Sequence, residues 1–387
     1  MPRPLTFLIF FSIVMSITGS IHYYLWARLI RDTALPFRGI ATLALMVLFV
    51  SMPLAIISSR SLPRSIAQYL AWPAYVWMGL MFILFMLLLA GDLFRAISHL
   101  TWLRGVEDPE RRLLFRRMLS GTLAAVASGV GAYGIIQAVR RLRVKEVTIS
   151  LTRLPKSLDG LTIAQLTDIH VGSTIGRHFI EDMVTRCNAL EPDLIVITGD
   201  LVDGSVEDLR DQVAPIASLK AKYGVFFVTG NHEYYSGVEQ WVAHLGTMGI
   251  RVLRNERVSI GDGAESFDLA GIDDYHALGM APGHGPDLPR ALAGRDPSRE
   301  LILLAHQPRA IFEAAEHGVG LQLSGHTHGG QIWPFTYLVK LQQPFVAGRA
   351  RVKDTELYVS CGTGYWGPPM RIGAQPEITR VTLRAKG

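Results

Sequence analysis

Ten of the twelve histidines lie beyond residue 146, and five of them sit in short polar blocks that each close an apolar run. The blocks are Thr-Asp168-Ile-His170, Thr-Gly199-Asp200, Thr-Gly230-Asn231-His232-Glu233, Ala-His306 and Ser-Gly325-His326-Thr-His328. Aspartate, asparagine and histidine supply the oxygen and nitrogen donors that first-row divalent metals accept. Asp-x-His and His-x-His place alternate side chains of an extended segment on one side, where both can reach a common point. A glycine just before the donor lets the backbone turn tightly and approach closely. The only cysteines, Cys187 and Cys361, exclude a disulfide framework and a thiolate zinc site.

The elements that position these blocks follow from the pattern around them. Apolar runs at Val147–Leu151, Leu161–Thr167, Leu194–Thr198, Val225–Thr229, Phe267–Ala270, Leu301–Ala305 and Val319–Leu323 read as strands. They alternate with helical spacing at 178–190, 206–220, 237–247 and 308–317, which argues for an α/β domain over residues 147–387. In such sheets, ligand sites form at the carboxyl ends of strands, where five of these runs place their polar blocks.

Residues 1–146 differ in kind. They carry 16 Lys and Arg against 6 Asp and Glu, whereas the remainder carries 22 against 27. Four uncharged stretches, 4–27, 39–59, 65–91 and 118–139, each reach the roughly 20 residues that cross a bilayer as a helix. Trp26, Trp72, Tyr75 and Trp102 stand near their ends, as interfacial aromatics do, and Pro53 and Pro73 lie inside. The basic excess therefore flanks membrane segments, and a nucleic-acid partner is excluded despite a pI near 9.2. Four spans place both termini on one side. Seven Lys and Arg, Arg3 among them, fall there against nine opposite, Arg104 among those, which leans the second half toward the non-cytoplasmic face.

Taken together, the five blocks resemble the signature of the calcineurin-like metallophosphoesterase superfamily over residues 147–387. Gly325-His-Thr-His-Gly-Gly-Gln331 and the segment Val359-Ser-Cys-Gly-Thr-Gly-Tyr-Trp-Gly-Pro-Pro-Met-Arg371, with Pro376-Glu377-Ile378, are similar to its membrane-anchored bacterial branch. The resemblance implies a four-layer αββα sandwich behind an N-terminal region of four transmembrane helices, in a bacterial inner membrane. It also implies two divalent ions, of Mn, Fe or Zn, about 3.5–4 Å apart. One ion would take Asp168, His170 and His328. Asp200 would bridge to a second, held also by Asn231, His306 and His326. His232 would serve the leaving group, and Asn231, His232 and Arg371 would contact the substrate phosphate.

The activity so implied is hydrolysis of a phosphodiester or pyrophosphate by a hydroxide between the metals, with a lipid-linked substrate suggested by the spans. One branch of the family cleaves the pyrophosphate of UDP-diacylglucosamine in lipid A synthesis. The rival readings are a membrane sensor or scaffold with a non-catalytic phosphatase-like module, and a transporter. The apolar stretches hold no internal charge that would mark an ion pathway. Asp203 reads either as a group behind a ligand or as a solvated helix start. Asp273 and Asp274 are candidates for the cleft wall. His178, His244, His276, His284 and His317 match no metal position and read as surface or structural. Trp333, Phe335, Tyr365 and Trp366 are expected to admit an apolar part of the substrate.

Overall fold

A computed structural model describes residues 4–101, 108–263 and 265–386, so Arg3, Trp102 and Arg104 lie outside the described residues. The chain divides into two compact units. The first ends at Ile136 and takes in Gly367–Met370. It holds α1 (Pro4–Trp26), which runs into a π-helical turn at Ala27–Arg31, then α2 (Arg38–Ser61), α3 (Arg64–Thr101) and all but the last four residues of α4 (Pro109–Arg140). Among the described residues, three helices are long and apolar enough to cross a membrane: Arg38–Ser59, Arg64–Ile97 and Pro109–Arg140. The expected four are thus three by this measure, although residues 4–26 are helical too. Charge does not end α3 where the apolar stretch stops. Asp92 accepts from Arg28 Nε at 2.8 Å and Tyr24 Oη at 2.6 Å, and the helix continues to Thr101.

The second unit runs from Gln137 to Trp366 and resumes at Arg371. Its strands are β1 (Arg143–Leu151), β2 (Thr162–Leu166), β3 (Leu194–Ile197), β4 (Val225–Phe227), β5 (Arg251–Val252), β6 (Glu256–Asp262), β7 (Glu265–Gly271), β8 (Leu301–Leu304), β9 (Leu321–Ser324), β10 (Gly348–Val352), β11 (Thr355–Val359) and β12 (Glu377–Ala385). They form two mixed six-stranded sheets, ordered β1-β12-β2-β3-β4-β5 and β10-β11-β9-β8-β7-β6. The last strand, β12, lies between β1 and β2, next to the sheet's edge, parallel to β1 and antiparallel to β2.

Side-chain alternation then builds the layers. Leu194 and Val196 of β3 meet Ile302 and Leu304 of β8 in the core between the sheets. Ile195 and Ile197 point the other way, onto α5 (Arg177–Asn188), α6 (Val206–Val213) and α8 (Val238–Thr247), through Met183, Leu209 and Trp241. Leu301 and Leu303 likewise turn outward, onto Leu288, Ala310 and Ala314. Every residue of β3 and β8 is therefore buried, which is why both read as continuous apolar runs.

Candidate metal centre

The polar blocks leave the carboxyl ends of β2, β3, β4, β8 and β9. Asp168, His170, Asp200, His326 and His328 all adopt positive φ, between 51° and 71°. That conformation is uncommon outside glycine, and short polar side chains tolerate it best. Five such residues clustered at one point mark backbone strain held in place by the surrounding sheet ends. The glycines fit by close approach: a Cβ on Gly230 would stand 2.2 Å from Asp200 Oδ1, and one on Gly325 would stand 2.2 Å from Asp168 Oδ2.

Two donor clusters result, and a third group, His170, Asp200 and His232, overlaps both. Asp168, His170 and His328 form one, and Asp200, His306 and His326 form the other. Within the first, His170 Nε2 and His328 Nε2 lie 3.0 Å apart, and His328 Nε2 is 3.5 Å from Asp168 Oδ1. In the second, His306 Nε2 is 3.2 Å from Asp200 Oδ2 and 3.1 Å from His326 Nδ1. Asp200 Oδ2 is also 3.8 Å from His170 Nε2, which puts its carboxylate between the two clusters.

The residues fit a pair of divalent ions on three independent grounds. Asn231 Oδ1 is buried and has no hydrogen-bond partner among the described residues, a costly state for an amide oxygen unless a cation takes it. His306 Nδ1 donates to the Thr198 carbonyl at 2.8 Å and His170 Nδ1 donates to Asp203 Oδ1 at 2.9 Å. Each bond fixes the tautomer that turns a bare Nε2 into the cluster, the arrangement by which a partner behind a ligand orients it. Burial first, and Arg371 next, hold the His328 ring well below the usual imidazole range, hence neutral as a ligand must be. Burial and His306 push His326 down to about 3.

The remaining charges are strongly coupled. Burial opposes the Asp200 carboxylate, yet His306 and His232 hold it well below the ordinary carboxylate range. Burial opposes a charged His306 as well, but Asp200 raises that ring well above 6.5. His232 stands at the edge of this set, its Nε2 4.0 Å from Asp200 Oδ2 and its Nδ1 2.6 Å from Asp203 Oδ1. Against its burial, Asp200 and Asp203 raise its pKa to about 9. Its ring also meets His170, Tyr235 and Trp366 edge-on, with centroids 4.6, 5.3 and 5.7 Å away.

Several other residues take definite places. Asp203 spans His170 and His232 through one oxygen, so it stands behind the site and is no solvated helix start. Arg371 is only 1% exposed and donates to the carbonyls of His328, Cys361 and Gly364. It braces the loops behind His328, whose ring Nδ1 its Nη2 also reaches at 3.1 Å. Asp273 pairs with Arg254 at 2.9 Å. Asp274 is buried and accepts from the backbone of His276 at 2.8 Å and from Gln307 Nε2 at 3.0 Å. His276 itself stands beside the centre, its ring 6.2 Å from that of His326 with Nδ1 held by Asp274. Asp274-Tyr275-His276 repeats the Asp-x-His spacing, a signal that could have found it. Trp333, Phe335 and Trp366 are exposed, whereas Tyr365 is core.

Glu233 was not singled out from the sequence. It is wholly buried at the start of α7 (Asn231–Ser236), and its carboxylate accepts from the backbone N–H of Asp200, Leu201 and Gly230 at 3.0, 2.8 and 2.6 Å. Burial pushes its pKa up to about 7. Glu233→Ala should strand these three donors at roughly 1 kcal/mol or more each. A drop in melting temperature of about 6–12 °C is expected for the full-length protein. An unchanged melting temperature would remove Glu233 from this role.

Comparison with known proteins gives a consistent picture. A model of the calcineurin-like phosphoesterases matches residues 161–330. A protein of Danio rerio called a transmembrane protein with metallophosphoesterase domain is 41% identical over 311 residues, covering 78% of this chain and 70% of its own. Its namesake in Bos taurus is 41% identical over 336 residues, covering 83% and 74%. An uncharacterized metallophosphoesterase of Campylobacter jejuni is 34% identical over 388 residues, covering 98% of this chain and 99% of its own.

Proposed function

Because the chain belongs to the calcineurin-like phosphoesterase family, we propose that it is a membrane-anchored hydrolase of a lipid-linked phosphodiester or pyrophosphate that uses two divalent ions. The observation that carries this is the pair of donor clusters meeting at Asp200. Two ions bound there would supply Lewis-acid charge for the phosphoryl oxygens and lower the pKa of a water between them. Asp168, His170 and His328 would hold one ion, Asn231, His306 and His326 would hold the other, and the Asp200 carboxylate would offset their mutual repulsion. Asp203 fixes both the His170 tautomer and the His232 ring. His232 then presents Nε2 to the leaving-group oxygen as proton donor, a role suited to an imidazole whose neighbours favour its charged form. The exposed Trp366, in ring contact with His232, with Trp333 and Phe335, offers an apolar surface for the lipid part.

The anchor comprises four spans, with residues 4–27 as the first, in a bacterial inner membrane. The arginine count favours the non-cytoplasmic face for the α/β unit. A complete donor set disfavours a non-catalytic scaffold, and the apolar stretches 4–27, 39–59, 65–91 and 118–139 hold no internal charge, which disfavours a transport pathway.

The substrate reading is tested in proteoliposomes with metal-loaded full-length enzyme. A pyrophosphate carried by a lipid in the same bilayer should be cleaved at least about tenfold more efficiently than a water-soluble short-chain analogue, because surface confinement raises effective concentration. Equal efficiency on both would contradict a lipid-borne substrate while leaving the phosphoesterase chemistry standing.

A further inference from the structure

The helical unit carries a group of charges that the hydrolytic chemistry does not use. Arg28, Asp32, Asp92, Arg95 and Arg116 line a crevice that also touches Leu88, Gly91 and Ser120. Arg28 pairs with Asp32 at 2.9 Å and with Asp92 at 2.8 Å, and Arg95 Nη2 stands 3.9 Å from Asp92. Asp32 is further shared with Arg31 at 2.9 Å. Arg116 is half-buried and has neither hydrogen bond nor ion pair among the described residues. Three arginines thus face two carboxylates in a sheltered space, and the surplus cation is the one with no partner. A partly desolvated guanidinium in this state calls for an anion, and its planar fork matches phosphate oxygens.

The position of the cluster says which anion. Arg28 directly follows the uncharged stretch 4–27, Asp92 directly follows 65–91, and Arg117, next to Arg116, directly precedes 118–139. Three apolar segments therefore end at one level, and in a bilayer that level is where the hydrocarbon gives way to lipid phosphates. We propose that this crevice is a headgroup site for an anionic phospholipid, with Arg116 on the lipid phosphate. The assignment rests on the reading that these helices lie in a bilayer. It gives the helical region a role beyond tethering: its stability and orientation depend on the charge of the surrounding lipid.

The test uses the full-length protein, stripped of lipid in an uncharged detergent and examined by native mass spectrometry. Dioleoylphosphatidylglycerol should be retained as one tightly held molecule, and dioleoylphosphatidylcholine should bind about tenfold more weakly or worse. Arg116→Gln should lose phosphatidylglycerol affinity by about tenfold, the worth of one charged hydrogen bond, with turnover of a soluble phosphodiester unchanged. Gly91→Leu, which fills the crevice without removing a charge, should lose the same lipid. Equal retention of the two lipids, or full retention by both variants, overturns the site. Displacement of the lipid by millimolar inorganic phosphate would make it a free-anion site and overturn the lipid assignment. Release of the protein from membranes by alkaline carbonate would instead sink the bilayer reading, and loss of activity in the unmodified protein would sink only the hydrolase reading.

Discussion

Asp200→Asn is expected to remove bound metal and turnover together. The Asp200 carboxylate lies between the two donor clusters, with one oxygen 3.2 Å from His306 Nε2 and 3.8 Å from His170 Nε2. The amide keeps the shape, and its oxygen can still accept the His232 backbone N–H that now reaches Asp200 Oδ1 at 2.9 Å. What it removes is the negative charge that allows two divalent ions to sit close together. Losing about 4 kcal/mol of charge stabilisation in the transition state corresponds to roughly 10³-fold in rate. Metal content of the purified variant, read by elemental analysis beside its rate, checks this. A variant that keeps two ions and near-normal turnover would refute the bridging role.

His232→Ala should separate what Asp200→Asn joins. Its ring is held by Asp203, and although it can join His170 and Asp200 in a third donor group, the two clusters proposed to hold the ions stay intact in the variant. Metal content should therefore persist while turnover falls about 10²–10⁴-fold, the usual worth of a positioned acid or base. The deficit should shrink on esters of good leaving groups such as nitrophenolate, which depart without a proton. If the deficit is the same for good and poor leaving groups, His232 holds the phosphate and does not protonate the departing oxygen.

How much of this was legible in the sequence depends on how local each signal is. The donor blocks were readable because each closes an apolar run, and a buried strand of β3 or β8 announces itself by an unbroken apolar stretch. β12 was missed although it alternates well, and its place between β1 and β2 joins the chain's last strand to its first, a pairing no local pattern encodes. β6, β10 and β11 lie toward one edge or the other of the second sheet, and the partly exposed β6 and β10 carry charged residues that mask the strand pattern. The burial of Arg371 was not legible for a related reason. Its burial follows from two carbonyls of its own loop, Cys361 and Gly364, and one of the His328 loop converging on it, a fold-back that no local pattern encodes. Glu233 was overlooked inside a recognised block because its partners are backbone donors from two different strand ends. In the helical unit, charge marked where the apolar stretches end but not where helix α3 ends, since Asp92 is paired from α1 and the turn after it.

The central claim is that these residues hold two ions that work as one centre. Full-length protein, freed of metal by chelator in detergent, is titrated with Mn²⁺ while bound metal and hydrolysis of a soluble chromogenic phosphodiester are followed in the same samples. Activity should be absent without metal, stay low through the first equivalent and rise as the second is taken up, to two ions per chain. Full activity in the chelated protein, or a plateau of both binding and activity at a single ion, would contradict it.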